Sequence, residues 1–373
     1  MSKVGTLYFM YNIVYKYIIN WNYFGLSIVG IYRDTKRYSL MDTSLENSYS
    51  QDELWRRSIP AQVFLNHFFG LHRHIAHRRR DDEMNQLFRF RQFVPKLTPV
   101  QAETAKRMLI QAWNTEYALR KTAENGDETF HRNALYWTFP QAYYSIFFGV
   151  SAFLAVQGRS VPNEAIARMR IASLVTNDWY PAPLAFAATG HPGHFSFAAL
   201  PAGDGIPSLQ LIDVPHEWQA QIGQFLRTTR TQRVQAARRR LQADPTKAIR
   251  TKTGKVSTRF GPQEWTQVAQ KVSPTTFLDL FARLKISSTH REIARFVEAD
   301  IDFRLFHNCL LETVRYVNSI HEHYVARALG ESVYAAFRTN LPLYLQESAA
   351  AKSPTWAEVR PIDYLKPAWQ TGT

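Results

Sequence analysis

Apolar residues fall at three- and four-residue intervals through most of this chain. In "LTPVQAETAKRMLIQAWNTEYALRKTAEN", Met108, Leu109, Ala112, Trp113, Tyr117 and Leu119 mark a helix face, entered at Thr98-Pro99 and stopped at Asn125-Gly126. The next run, "ETFHRNALYWTFPQAYYSIFFGVSAFLAVQG", is apolar nearly all round. That pattern predicts a central core helix, kinked at Pro140 and ended by Gly158. Pro162 to Val175 reads as a short helix. Prolines and glycines then accumulate, and "HFSFAAL" and "SLQLIDV" flank Gly203-Asp204-Gly205, which predicts a β-hairpin. A long polar helix follows from Pro215 to about Ala243, broken at Asp244-Pro245. Further helices are expected from Pro262, over Pro274 to Leu284, over Thr289 to Ala299, and from about Asp302 to Leu329. Thr289 and Glu292 have the spacing of a capping box. The fold class is therefore mainly α: a multi-helix bundle with a small β-hairpin insert.

Composition divides the chain further. Residues 1–40 contain no Ala, Glu, Gln, His or Pro and are loaded with Tyr, Ile, Asn, Phe and Lys. Three readings stay open for this atypical segment. It is upstream DNA translated in frame ahead of a start at Met41, a membrane-associated span over Leu7 to Tyr32, or a soluble element. Lys16, Asn12, Asn20 and Asn22 make a span costly, and no compact apolar core or cleavage site of a secretory signal is present. After it come an N-terminal helical part (41–175), a Pro/Gly-rich insert with the hairpin (176–214), a basic helix and loop (215–262) and a C-terminal helical part (263–373). The chain has 373 residues, enough for one large or two medium domains. Its 14% aromatic content calls for an aromatic-rich core. The single cysteine, Cys309, cannot form an internal disulfide, and the expected location is cytoplasmic.

Charge changes the picture most. The formal net charge is +14, which favours polyanions, nucleic acid before an anionic membrane surface. Ten of those charges come from one stretch. Arg227, Arg230, Arg233, Arg238, Arg239, Arg240, Lys247, Arg250, Lys252, Lys255 and Arg259 are eleven cations against one acid, Asp244. The first three advance three at a time along the long helix, and those after Asp244 lie in what reads as a flexible loop. Balancing glutamates at i±4 are missing, so phosphate contact is the expected role. "RHIAHRRR", Arg73 to Arg80, is a second basic patch.

Candidate chemistry is sparse. There is no GxxxxGK[ST] loop, no HExxH and no CxxC pair, and no cofactor is implied. Cys309 reads as a packed helix residue. The histidines His67, His72, His74 and His77 read as a basic, pH-sensitive surface rather than a metal site. What remains is "RYVNSIHEHY". Arg315 has the fork of donors that holds a phosphate, and His321 titrates near neutral pH, as an acid/base for phosphodiester cleavage must. Glu322 and His323 stand ready to orient it. Arg283 and His290 form a second such pair.

The helical organisation together with Arg315-x5-His321 resembles the HEPN superfamily of small helical domains. The aromatic, small-residue texture of "ALYWTFPQAYYSIFFGVSAFLAVQG" is similar to that family's core helix. The resemblance spans about residues 98–175 and 275–335. It implies a HEPN-like RNA-binding protein, a metal-independent endoribonuclease of a defence or toxin system, acting as a homodimer or in a larger complex. The family often has a polar residue after the arginine, where Tyr316 stands here; Arg132-Asn133 has the polar follower but no histidine within reach. The alternative is a non-catalytic nucleic-acid-binding subunit of a larger complex, using residues 227–259.

Overall fold

A computed structural model describes residues 51–346, apart from residues 210, 211, 252, 289 and 298 and the side chains of 51–57, 290–292 and 294. The chain divides into two units, residues 1–53 and 54–373, and the described residues fall almost entirely in the second. The readings of residues 1–40, and the Thr289/Glu292 capping box, lie outside the described residues.

Thirteen helices and one two-stranded sheet make up the described residues. In order they are α1 (Gln51–Arg78), α2 (Glu83–Gln86), α3 (Phe88–Arg91), α4 (Pro99–Glu124), α5 (Glu128–Val156), α6 (Glu164–Thr176), β1 (Ala187–His191), β2 (His194–Ala198), α7 (Pro215–Ala243), α8 (Pro262–Gln270), α9 (Phe277–Ser287), α10 (His290–Val297), α11 (Phe303–Leu329), α12 (Glu331–Thr339) and α13 (Leu343–Gln346). The fold is mainly α with a small hairpin.

The entry of each core helix is written in its cap. Thr98 Oγ1 accepts from the Gln101 amide while the Gln101 side chain accepts from the Thr98 amide, a complete capping box before α4. Asp127, Asn163 and Asp302 accept from the third amide of α5, α6 and α11 at 2.8, 3.0 and 2.8 Å. These oxygens satisfy donors that have no partner within the helix.

Helix α5 is the central element. It runs unbroken through Pro140, and Phe139, Tyr143, Ile146, Val150 and Phe153 are all fully buried. It is long and apolar enough to cross a membrane, but 78% of its apolar window is buried inside the bundle. Such all-round burial is what an all-round apolar sequence needs in water. Helix α4 returns antiparallel against it, and α11 runs parallel to it, from Phe139 against Phe306 to Phe153 stacked on Tyr324 at 4.3 Å. Helix α1 lies along α11, with Phe69 against Phe306 and His72 bonded to Glu312.

The hairpin is not where the Gly203-Asp204-Gly205 signal placed it. HFSFA is a strand, but it pairs with Ala187–His191 upstream across the Pro192-Gly193 turn, in the register Ala187↔Ala198 to His191↔His194. Gly193, at φ 91°, supplies the left-handed turn residue. The Gly203 loop instead packs on α7. A Cβ at Gly223 would sit 1.9 Å from the Gly203 carbonyl oxygen, so only glycine lets helix and loop meet.

Helix α7 belongs to two environments. Ile222, Phe225 and Leu226 join the main core. Beyond Thr229 the helix leaves it. There Val234, Val268 and Ala269 form a separate small core, with Leu241, Phe260, Trp265 and Val272 packed on it. This lobe, residues 234–272, holds nine lysines and arginines against two acids, a net of seven out of fourteen.

Candidate nucleic-acid interface

Within the basic stretch the eleven cations divide sharply by environment. Each step of three residues falls about 60° short of a full turn, so Arg227, Arg230 and Arg233 spread over about 120° on one side of α7. That side is turned towards the hairpin and the end of α8 rather than to solvent. Arg227 reaches the Asp204 carbonyl at 3.3 Å and lies over Phe197. Arg230 is 2% exposed. Its Nε donates to the Gly190 carbonyl at 3.0 Å, Nη2 to Ala269 at 2.9 Å, and Nη1 to Val272 and Ser273 at 3.1 and 2.6 Å. It thus ties the hairpin turn to the end of α8 and the segment that follows it. Burial, with Arg233 beside it, pulls its pKa down to about 10 against the pull of Asp279. Arg233 donates to Asp279 and to the Pro274 carbonyl, each at 3.0 Å. Burial raises the Asp279 carboxyl, and Arg233 works against that rise. Arg230 and Arg233 thus spend their donors on internal carbonyls, hydroxyls and the Asp279 carboxylate instead of the phosphate expected of them, while Arg227 pairs with the exposed Asp204 at 3.5 Å.

The remaining cations sit on the lobe surface. The guanidinium of Arg238 lies 4.5 Å from the Phe260 ring centre and 5.2 Å from Trp265, and it donates to the Thr258 carbonyl. Arg239, Arg240, Lys255 and Arg259 are exposed and have no ion pair among the described residues. Lys247 is exposed and pairs with Asp244 at 3.0 Å. Arg250 is exposed but donates to the Gly254 and Pro245 carbonyls at 2.9 and 3.1 Å. Lys252 lies outside the described residues.

Nor is the segment after Asp244 a free loop. The Gln242 side chain accepts from the Ile249 amide at 2.9 Å and donates to the Ser257 carbonyl at 2.6 Å. Arg250 and Val256 form a bridge closed by a turn at Gly254. One buried-side glutamine thus staples both ends of the basic turn to α7, and the charges are carried on an ordered frame.

The second basic patch is only partly internal, with His77 and Arg80 exposed. Arg73 faces Asp213 at 3.7 Å, and His74 is buried. His67 bonds Gln221 at 2.8 Å, and His72 bonds Glu312 at 2.6 Å. These histidines serve separate partners, and among the described residues no three His, Cys, Asp or Glu side chains are grouped to hold a metal. Cys309 is buried in α11.

The Arg315 and His321 side chains do not meet in a cleft. Six residues are a turn and two thirds, so the two project about 120° apart on α11. Arg315, 32% exposed, points its Nε towards Glu116 at 3.6 Å. The Asn318 amide donates to Glu116 at 2.9 Å and to Ser145 at 2.8 Å. Burial raises the Glu116 carboxyl, opposed by Asn318 and then by Arg315. His321 is fully buried, bonded through Nε2 to the Tyr180 hydroxyl at 2.9 Å and stacked on Phe153. Burial lowers its pKa to about 3. Glu322 accepts from the Tyr334 hydroxyl of α12, and His323 donates from Nδ1 to the Ser319 carbonyl at 2.5 Å. Packing between α5 and the Tyr180 segment therefore takes His321 away from the near-neutral titration expected of it. Arg283, of the second pair, donates to Thr228 and Thr229 of α7 at 2.8 and 3.1 Å; the side chain of His290 lies outside the described residues.

Sequence reasoning passed over Glu116, Asn318 and Tyr180, the actual partners of Arg315 and His321. Glu116 was detectable as the lone acid amid the apolar face of α4. Compared with models of known families, with curated proteins and with solved structures, the chain gives no match.

Proposed function

We propose that this protein binds nucleic acid through the lobe formed by residues 234–272, without cleaving it. The observation that carries the reading is the set of exposed, unneutralised cations Arg239, Arg240, Lys255 and Arg259 on an ordered frame. A cation already paired gains little by meeting a phosphate, whereas these release condensed counterions when they do. The same density of charge carries no base code, so the binding is tolerant of sequence. A metal-independent ribonuclease built on Arg315 and His321 has less support, because a buried imidazole with a pKa near 3 neither touches a phosphodiester nor exchanges protons at neutral pH.

Anisotropy titrations against a labelled RNA or DNA strand, repeated over a range of salt, test the reading. Replacing Arg239, Arg240 and Arg259 with Gln should weaken binding and lower the log–log salt slope by about 2. A wild-type protein that ignores nucleic acid but sediments with anionic vesicles would assign the lobe to a membrane surface instead. An unchanged slope in the triple variant would remove these residues from the interface.

A further inference from the structure

Beside the free cations lies a row of rings. His194, exposed at the tip of β2, stands 5.3 Å from His191 across the hairpin. His191 is stacked on Trp265 of α8, at 6.4 Å and 18°. Trp265 meets Phe260 edge-on at 5.4 Å, and Arg238 covers both. His191 is fixed in place, with Nδ1 on the Pro192 carbonyl at 3.0 Å and Nε2 towards the Thr266 hydroxyl at 3.4 Å. The row ends at Arg238 and Phe260, whose chain neighbours are the exposed Arg239 and Arg259. His191 itself is buried, so what this row offers beside the charges is the exposed ring of His194 and the half-buried rings of Trp265 and Phe260.

Charge alone would suit any polyanion. Rings add a preference, because a ring gains by stacking on a base only when that base has a free face. In a duplex the faces are already covered by neighbouring pairs; in a single strand they are open. Histidine and tryptophan accept any base, in keeping with phosphate contacts that do not read sequence. We propose that the lobe takes single-stranded nucleic acid, with phosphates on Arg239, Arg240 and Arg259 and bases stacked on the exposed His194 and the half-buried Trp265. This rests on the lobe being a nucleic-acid interface and adds the class of strand.

Three probes of equal charge separate the two ideas: an oligothymidylate of about 20 nucleotides, an abasic strand of the same length, and a duplex. The wild type should bind oligothymidylate more tightly than the abasic strand, by roughly 5- to 150-fold for each base stacked. His194→Ala should shrink that ratio and leave abasic binding unchanged. Trp265→Leu should shrink it further; since Trp265 also packs the lobe, the exposed His194 keeps the test valid if that variant unfolds. Equal affinity for thymidylate and abasic strands, or preference for the duplex, would overturn the single-strand proposal while binding that depends on Arg239 and Arg240 stands. Binding of none of the probes, or binding indifferent to those arginines, would remove both.

Discussion

Arg230 and Arg239 are nine positions apart on one helix, and residue type alone does not separate them. Arg230 faces four carbonyl oxygens and is sealed; Arg239 faces water. Replacing Arg230 with Gln strips donors from buried acceptors at once, each worth about 1–3 kcal/mol when left bare. The variant should lose roughly 3–5 kcal/mol in denaturant unfolding. Arg239→Gln should stay within about 0.5 kcal/mol of the parent in the same measurement. Equal costs would mean that Arg230 does not hold the lobe. At this scale the sequence was half legible. Cation density was plain, but i,i+3 spacing says only that Arg227, Arg230 and Arg233 lie on one side, not what covers it. Likewise the Arg315/His321 pair was visible as residue types, whereas the Tyr180 hydroxyl that takes His321 lies 141 residues away.

Elements were far easier to read than sites. Helices α4, α5 and α11 follow their caps and periodicity, and α7 its N-terminal Pro215 and the breaker at Asp244-Pro245, since all these signals are local. The hairpin shifted because two turn candidates competed, and the loser, around Gly203, was claimed by α7. Helix α1 was read only as part of the N-terminal helical region, and a proline lies inside it at Pro60. Close approach between elements also leaves a mark on residue choice. A Cβ added at Gly149 of α5 would stand 2.9 Å from Asn318 Oδ1 and 3.1 Å from His321 Nδ1 of α11. Gly149→Ala should gain up to about 1 kcal/mol from helix propensity but lose about 1–3 kcal/mol to crowding between two buried side chains. A net fall in unfolding free energy is expected; a net rise would show that α5 and α11 can part at no cost.

The whole molecule carries buried histidines of opposite sign. Burial lowers His67, His74 and His307 to about 4 and His321 to about 3. Each is neutral in the native state, while an unfolded histidine takes up a proton near pH 6.5. Their contribution is complete above that pH and is lost as pH falls towards 4, by up to about 1.4 kcal/mol per pH unit for each. His72 behaves in reverse. Burial opposes its charge, but contacts with Cys309 and Glu312 outweigh it and lift the pKa to about 9. Its contribution is present below pH 6.5 and is lost as pH rises to 9. Thermal melting should therefore peak near neutrality, falling steeply on the acid side and gently on the alkaline side. A melting temperature flat between pH 4 and 7 would mean these rings are hydrated. The separate small core of the lobe has a different consequence. The bundle keeps its own apolar interior whatever decorates the far end of α7, so substitutions on the lobe can accumulate without passing through an unfolded intermediate. Ligand preference and foldability are then inherited independently, and relatives of this chain are expected to share the α4–α5–α11 interior while their basic lobes diverge.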